Sequence, residues 1–139
     1  MRDYKVSIVV PVFNNWKLTQ ELLDNLSRYE IENIDEVLIV DDCSDFDSVD
    51  AGIDSDLNFS VARSIKNEGF TITSNVGLRH VCKFAEKKIV FLISNDVRFT
   101  GKFVEQTAEI LFGAKRALVG NRHIAFRSGW NEFHGIVYD

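Results

Sequence analysis

The chain has 139 residues, 45% of them apolar and 27% charged, enough for one domain with a real core and ordinary for a soluble globular fold. A formal net charge of −5 argues against a nucleic-acid partner, and a phosphate-bearing ligand would need local donors or a metal rather than a general positive field. Cys43 and Cys82 lie far apart and in no metal-binding spacing, so they read as free thiols in a reducing compartment. The expected location is the cytoplasm, with peripheral attachment at the inner membrane face as the variant of that reading. Met1 to Lys5 lead into a strand-like run rather than a cleavable apolar leader, and no apolar stretch is long enough to span a bilayer.

Val6-Ser-Ile-Val-Val10 is a nearly continuous apolar run and predicts a strand buried on both faces. Pro11 lacks a backbone donor and is expected to close it. Asn14 or Asn15 can cap the helix that follows. In that helix Leu18, Leu22 and Leu26, with Leu23 beside them, form one apolar face running to about Tyr29. Glu36-Val-Leu-Ile-Val-Asp-Asp42 is a second buried strand with two carboxylates at its carboxyl end. Asp45, Asp47, Asp50, Asp54 and Asp56 follow without the spacing of an EF-hand loop, and predict a solvated loop with one helical turn. Asn58-Phe-Ser-Val-Ala62 predicts a short third strand. Lys66-Asn-Glu-Gly69 is turn chemistry. A helix is expected from Thr71 to Lys87, burying Leu78, Val81, Cys82 and Ala85, with Gly77 in its interior to allow a close backbone approach.

Ile89-Val-Phe-Leu-Ile-Ser-Asn-Asp96 is an apolar run that turns abruptly polar. It predicts the central strand of a parallel sheet, with its polar residues at the edge where such sheets bind ligands. Asp96 there suits a hard divalent cation that bridges to phosphate oxygens; the alternative is that Asn95 and Asp96 only make the turn. A helix from Lys102 to Phe112 follows, with Gly113 stopping it. Ala117–Gly120 and His123–Phe126 read as one interrupted strand or two short ones, and the tail Arg127–Gly135 has no period. The expectation is an α/β fold: one mostly parallel central sheet with helices on both faces.

Three strand ends carry polar groups: Pro11 to Asn14, Asp41 to Ser44, and Ser94 to Asp96. Carboxylates at such an edge suit the N–H and O–H donors of a base or ribose, and a metal that offsets phosphate charge. No GxGxxG or GxxxxGK loop is present, which argues against a dinucleotide or P-loop site.

Four motifs then occur in order: Val6-Ser-Ile-Val-Val-Pro-Val-Phe-Asn-Asn15, Glu36-Val-Leu-Ile-Val-Asp-Asp-Cys-Ser44, Asn67-Glu-Gly69 with Asn75-Val-Gly77, and Phe91-Leu-Ile-Ser-Asn-Asp-Val97. Together they resemble the family 2 glycosyltransferases of the GT-A, Rossmann-like fold, over essentially the whole chain. The resemblance implies an NDP-sugar donor, Mn²⁺ or Mg²⁺, and inverting transfer to a hydroxyl of a glycan, lipid or protein acceptor. It assigns Pro11 and Val12 to the segment along the nucleobase, Phe13 to the stacking position, and Asp42 to the carboxylate that accepts a uracil-type N–H. Asn75 and Asn95 fall among the nucleotide-sugar contacts, and Asp96 on the metal position. Ile93 and Asn95 stand where the family carries further acidic residues, so the site has less negative charge. Cys43 stands where the family often has glycine.

For each residue a plainer role remains open: Phe13 covering the sheet edge, Asp41 turned away or capping the next turn, Asn75 and Gly77 allowing helix to pack on sheet. The three histidines have no partner spacing that assigns them a role. The family's general base comes from an acceptor half that is short or missing here. Glu132, the acidic residue near Gly129–Phe133, reads as a surface glutamate rather than that base. Sugar transfer by this chain alone is therefore expected to be poor, and the uncovered sheet edge and aromatic tail favour self-association. The rival readings are a non-catalytic nucleotide-sugar-binding or scaffold domain, and a phosphoacceptor receiver domain.

Overall fold

The β-branched runs form one parallel sheet. β1 (Lys5–Val12), β2 (Glu36–Asp41), β3 (Phe59–Arg63) and β4 (Lys88–Leu92) lie in the order β3-β2-β1-β4. β1 is paired on both sides, with β2 and with β4, and helices cover both its faces, which is why its sequence is apolar on both. This computed structural model describes residues 3–83 and 88–112, and the two short strands β5 (Arg122–Ile124) and β6 (Asn131–Phe133), which pair antiparallel.

Helices cover both faces, as expected. α1 (Trp16–Glu30) crosses from β1 to β2, α2 (Phe70–Cys82) from β3 to β4, and α3 (Val104–Phe112) follows β4. Leu22, Leu23 and Leu26 of α1 and Val104 and Ala108 of α3 pack on Val6, Ile8, Val10, Ile39 and Phe91. On the other face Val81 of α2, with Leu78 beside it, packs on Val9, Leu38 and Val40. The chain runs outward from β1 through β2 to β3, then returns to the opposite side of β1. A receiver domain has the strand order 2-1-3-4-5, so the topology rules that rival out. Among the described residues no helix is long and apolar enough to cross a membrane.

Five outcomes differ from expectation. β4, expected as the central strand, instead ends the described sheet beside β1, and Leu92 on its α2 side is 43% exposed. β1 continues through Pro11 to Val12. The Val9 carbonyl accepts from the Ile93 amide on the β4 side. Alternate residues face the same neighbour, so the Pro11 nitrogen faces beyond the last β1–β4 pair, Val9 with Leu92, and no ladder bond is lost. Asn15 takes the N-cap position of α1, but in a left-handed conformation (φ 52°) and without a side-chain capping bond. Cys82 is exposed, because α2 instead turns Thr73, Ser74, Gly77 and Val81 to the sheet. Asn131–Phe133, read as part of an aperiodic tail, is strand β6. The expected extension of α2 through Ala85 to Lys87, the stop at Gly113, the strand at Ala117–Gly120 and the remainder of the tail lie outside the described residues.

Gly77 explains how α2 sits so close. A Cβ there would overlap Val9 Cγ1 and stand 2.9 Å from Val40 Cγ2. Gly77→Ala is therefore expected to lower stability by about 1–3 kcal/mol through overpacking, despite the roughly 1 kcal/mol that alanine gains in an isolated helix. Urea unfolding measures this; an unchanged or raised midpoint contradicts the close approach.

Glu30 has a role that no pattern in the sequence announced. It is 1% exposed at the end of α1. One carboxylate oxygen accepts from the Val104 amide at 2.9 Å and the other from Asn33 Nδ2 at 3.0 Å. The first contact satisfies an orphan donor at the start of α3 and joins the two helices end to end.

Candidate functional site

The chain reverses direction across the sheet between β1 and β4, and in open α/β sheets the crevice outside the strands' carboxyl ends at such a point is where ligands bind. The three polar strand ends meet along this edge.

At the end of β1, Pro11 and Val12 are buried, whereas Phe13 is 48% exposed. Its ring is thus available to a ligand. Asn14 and Asn15 both have positive φ, 55° and 52°, a conformation asparagine tolerates better than most residues. Asn14 is tied to the next strand end twice: its amide donates to Ser44 Oγ at 2.7 Å, and its Oδ1 accepts from the Asp45 amide at 2.9 Å. Trp16 Nε1 donates to the Phe46 carbonyl at 3.0 Å.

At the end of β2 the two carboxylates separate in role. Asp41 is fully buried and turned to the α1 side. Its Oδ1 accepts from the amide of Ser44 at 3.1 Å and from the Ser44 hydroxyl, and its Oδ2 lies 3.2 Å from Arg63 Nη1. It shapes the turn, one of the two readings left open above. Asp42 faces α2 and accepts from the Glu68 amide at 2.7 Å and the Gly69 amide at 2.8 Å. It therefore pins the turn before α2 to the strand end. Each carboxylate oxygen has a second lone pair, so the group can also accept from a ligand N–H. Cys43, which follows them, has φ 61°, which is the physical reason glycine suits that position.

Asn75 is exposed on α2. It lies about 200° around the helix from the sheet-facing Gly77, so the structure does not gather it with the strand ends.

At the end of β4 the Val97 amide donates to the Ser94 carbonyl at 3.2 Å, closing a turn that leaves Asp96 exposed. Asn95 Nδ2 points toward α1, 3.1 Å from Thr19 Oγ1 and 3.4 Å from the Asn15 carbonyl. Arg98 braces the same turn through Nη1, which donates to the carbonyls of Asn95 at 2.8 Å and Val97 at 2.7 Å. Its Nη2 reaches the Leu18 carbonyl at 3.1 Å and Glu21 Oε2 at 2.8 Å. The Arg98 hydrogen bond, helped by the charges of Arg98 and Lys17, holds the Glu21 carboxyl below the usual carboxylate range. That contact is present above the ordinary carboxylate pKa and is lost as pH falls through the lowered one. Asn25 fixes the far end of the loop, accepting from the Phe99 amide at 2.7 Å and donating to its carbonyl at 3.0 Å. Thr19, Asn25 and Arg98 carry no spacing signal in the sequence.

Among the described residues no group of three or more His, Cys, Asp or Glu is placed to hold a metal ion. A single exposed carboxylate suits an ion of the Mg²⁺ kind, which is bound through one or two carboxylates together with substrate phosphates. The donor set thus fits an ion carried with a diphosphate, which Asp96 would hold. A cavity of about 260 Å³ lined by Gln20, Asp24, Ser27, Asp54, Ser55 and Asp56 contains none of the predicted site residues. It belongs to the packing of the loop after β2 on α1, where Gln20 bonds both backbone groups of Asp54.

The comparisons agree with this architecture. The profile of glycosyl transferase family 2 matches residues 7–137. No curated protein is significantly similar to the chain. Among solved structures, S. aureus TarS in complex with UDP-GlcNAc is 27% identical with a TM-score of 0.63, over 77% of this chain and 31% of that one. TarS in complex with UDP is 26% identical, TM-score 0.60, over 77% and 32%. The mannosyltransferase PcManGT from Pyrobaculum calidifontis, in complex with GDP-Man and Mn²⁺, is 24% identical with a TM-score of 0.60, over 85% and 35%, and shares the fold. The chain thus spans about a third of the length of the TarS 1–349 and PcManGT chains, and 19% of the longer TarS chain. With the motifs in order, the GT-A arrangement of strands and a profile match over nearly its whole length, the chain belongs to glycosyl transferase family 2.

Proposed function

We propose that this chain is the donor-binding part of an inverting glycosyltransferase, which holds an NDP-sugar, UDP-linked, with Mn²⁺ or Mg²⁺ for transfer to a hydroxyl of a glycan, lipid or protein acceptor. The observation that carries the reading is the meeting of three strand ends at the switch point: Phe13 exposed on β1, Asp42 at β2 and Asp96 at β4. Phe13 offers a face for the nucleobase, flanked by the buried Pro11 and Val12 segment. Asp42 accepts a base N–H and keeps the Glu68–Gly69 turn in register beside it. Asp96 holds the divalent ion, which when bound offsets the charge of the diphosphate. The likeness to a UDP-GlcNAc complex of TarS supports a uridine donor.

Asn95 keeps its proposed place near the donor through the turn it belongs to; a donor contact from Asn75 rests on the family resemblance alone, since Asn75 is exposed on α2 and not gathered with the strand ends. The cytoplasm remains the proposed location, on the strength of two free thiols. The side chain of Glu132 lies outside the described residues. The proposed general base comes from an acceptor half beyond the motifs of this chain, since none of the described strand-end carboxylates is left over for that task.

The test is incubation of the 139-residue chain with UDP- and GDP-sugars, Mn²⁺ and a panel of acceptors. Donor binding with little or no transfer is expected. Robust formation of a glycosylated product, with no added subunit, contradicts the assignment of the base to a part outside these motifs.

A further inference from the structure

We propose that Arg98, Thr19 and Asn95 are positioning residues that fix the Ser94–Val97 turn on α1 and so set the direction in which Asp96 presents its carboxylate. This rests on the reading of Asp96 as the ion-holding group of the donor site, and it assigns Asn95 an indirect role rather than a direct ligand contact.

The geometry argues from both ends of the turn. Asp96 itself is exposed, so nothing in its own packing selects one orientation. Its neighbours are held instead. On one side Asn95 spends its amide group on Thr19 Oγ1 and the Asn15 carbonyl. On the other, Arg98 accounts for the carbonyls of Asn95 and Val97 and for Leu18 and Glu21 of α1. A guanidinium suits this because its N–H groups form a rigid planar fork, whereas an ammonium is a point donor on a flexible stem. Thr19 is fully buried, so its hydroxyl cannot exchange this contact for bulk water. Asn25 then pins Phe99. The result is a carboxylate on a turn clamped before and after it, with α1 as the support. Holding a binding group by such neighbouring contacts is what lets a single carboxylate hold a defined geometry.

The test reads the turn with and without ligand. In the absence of ligand, Arg98→Ala should speed hydrogen exchange of the Val97 amide about tenfold, equivalent to about 1.4 kcal/mol, while the Ile93 amide in the sheet ladder keeps its protection. With UDP, the same variant should lose about tenfold of the Mn²⁺-dependent part of the affinity and change metal-free UDP binding by less than about twofold. Arg98→Lys should recover part of both losses. Thr19→Val, of nearly the same shape, should weaken Mn²⁺-dependent binding in the same direction without lowering the melting temperature as far as a core cavity does. Asn95→Asp decides the sign. A direct ligand would bind Mn²⁺ more tightly with the added charge, whereas a positioning residue that loses its amide donors binds it less tightly. Unchanged Val97 exchange in Arg98→Ala, or tighter Mn²⁺ binding in Asn95→Asp, overturns the proposal. Absence of any UDP binding by the parent chain overturns the donor-site reading instead, while the exchange result still decides whether Arg98 holds the turn.

Discussion

Asp96→Asn is expected to remove most of the gain in nucleotide affinity that a divalent ion provides. Asparagine keeps the shape and one oxygen but carries no charge, and Asp96 is the one carboxylate on the turn after β4. Losing a charged partner typically costs about 1.5–3 kcal/mol, roughly 10- to 150-fold in Kd. Affinity for UDP without metal should be nearly unchanged, since the base and ribose are held elsewhere. Because Asp96 is exposed and only its neighbours make the turn's bonds, the variant should melt close to the parent. Calorimetric titration of UDP with and without Mn²⁺ separates these effects. The assignment is wrong if the variant keeps the parent's Mn²⁺-dependent affinity.

Asp42→Ala should be more damaging to the protein and to the site together. Two backbone amides, those of Glu68 and Gly69, lose their acceptor in a group that is 4% exposed. The turn before α2 is then free to leave the strand end. UDP affinity is expected to fall by about 1–3 kcal/mol, with or without metal. Asp41→Asn is the control, because Asp41 faces the other side of the sheet and bonds Ser44 and Arg63. It should lower the melting temperature while leaving the UDP affinity of the folded fraction in place. If Asp42→Ala binds UDP as tightly as the parent, the base is held by other groups.

How much of this was legible in the sequence depends on which physical signal carries each feature. The strands were legible because burial on both faces demands unbroken apolar runs, and β1 and β2 have them. The run in β4 is equally apolar, but β4 ends the described sheet and leaves Leu92 exposed, so an apolar run does not by itself tell a central strand from an edge one. The edge strand β3 is half-exposed, its pattern is weaker, and its expected span was displaced by one residue. Pro11 misled because its cost depends on which neighbour its nitrogen faces, and β4 ends before reaching it. The buried face of α2 was read in part. Val81 and Leu78 pack on the sheet as expected, but Cys82 does not, because periodicity weighs large apolar residues whereas close contact with Val9 and Val40 selects small ones such as Gly77, with Thr73 and Ser74 on the same buried face.

The candidate site divides in the same way. Asp42 and Asp96 stand out because a carboxylate after a buried strand is conspicuous. Their supports do not. Arg98 reads as an ordinary surface charge, Asn25 and Thr19 as polar residues on an amphipathic helix, and Glu30 as a solvated carboxylate. Each acts across a long stretch of sequence, Arg98 on Glu21 and Glu30 on Val104. No local pattern encodes such a contact, because the partner is set by how α1 lies on the sheet.

The most direct measurement of the central claim is titration calorimetry of the 139-residue chain with UDP, UDP-GlcNAc and GDP-Man, each with and without Mn²⁺. Saturable binding of a nucleoside diphosphate or its sugar, strengthened by Mn²⁺ and weakened in Asp96→Asn, is the predicted result. A folded chain that binds none of them under any metal condition contradicts the donor-site account.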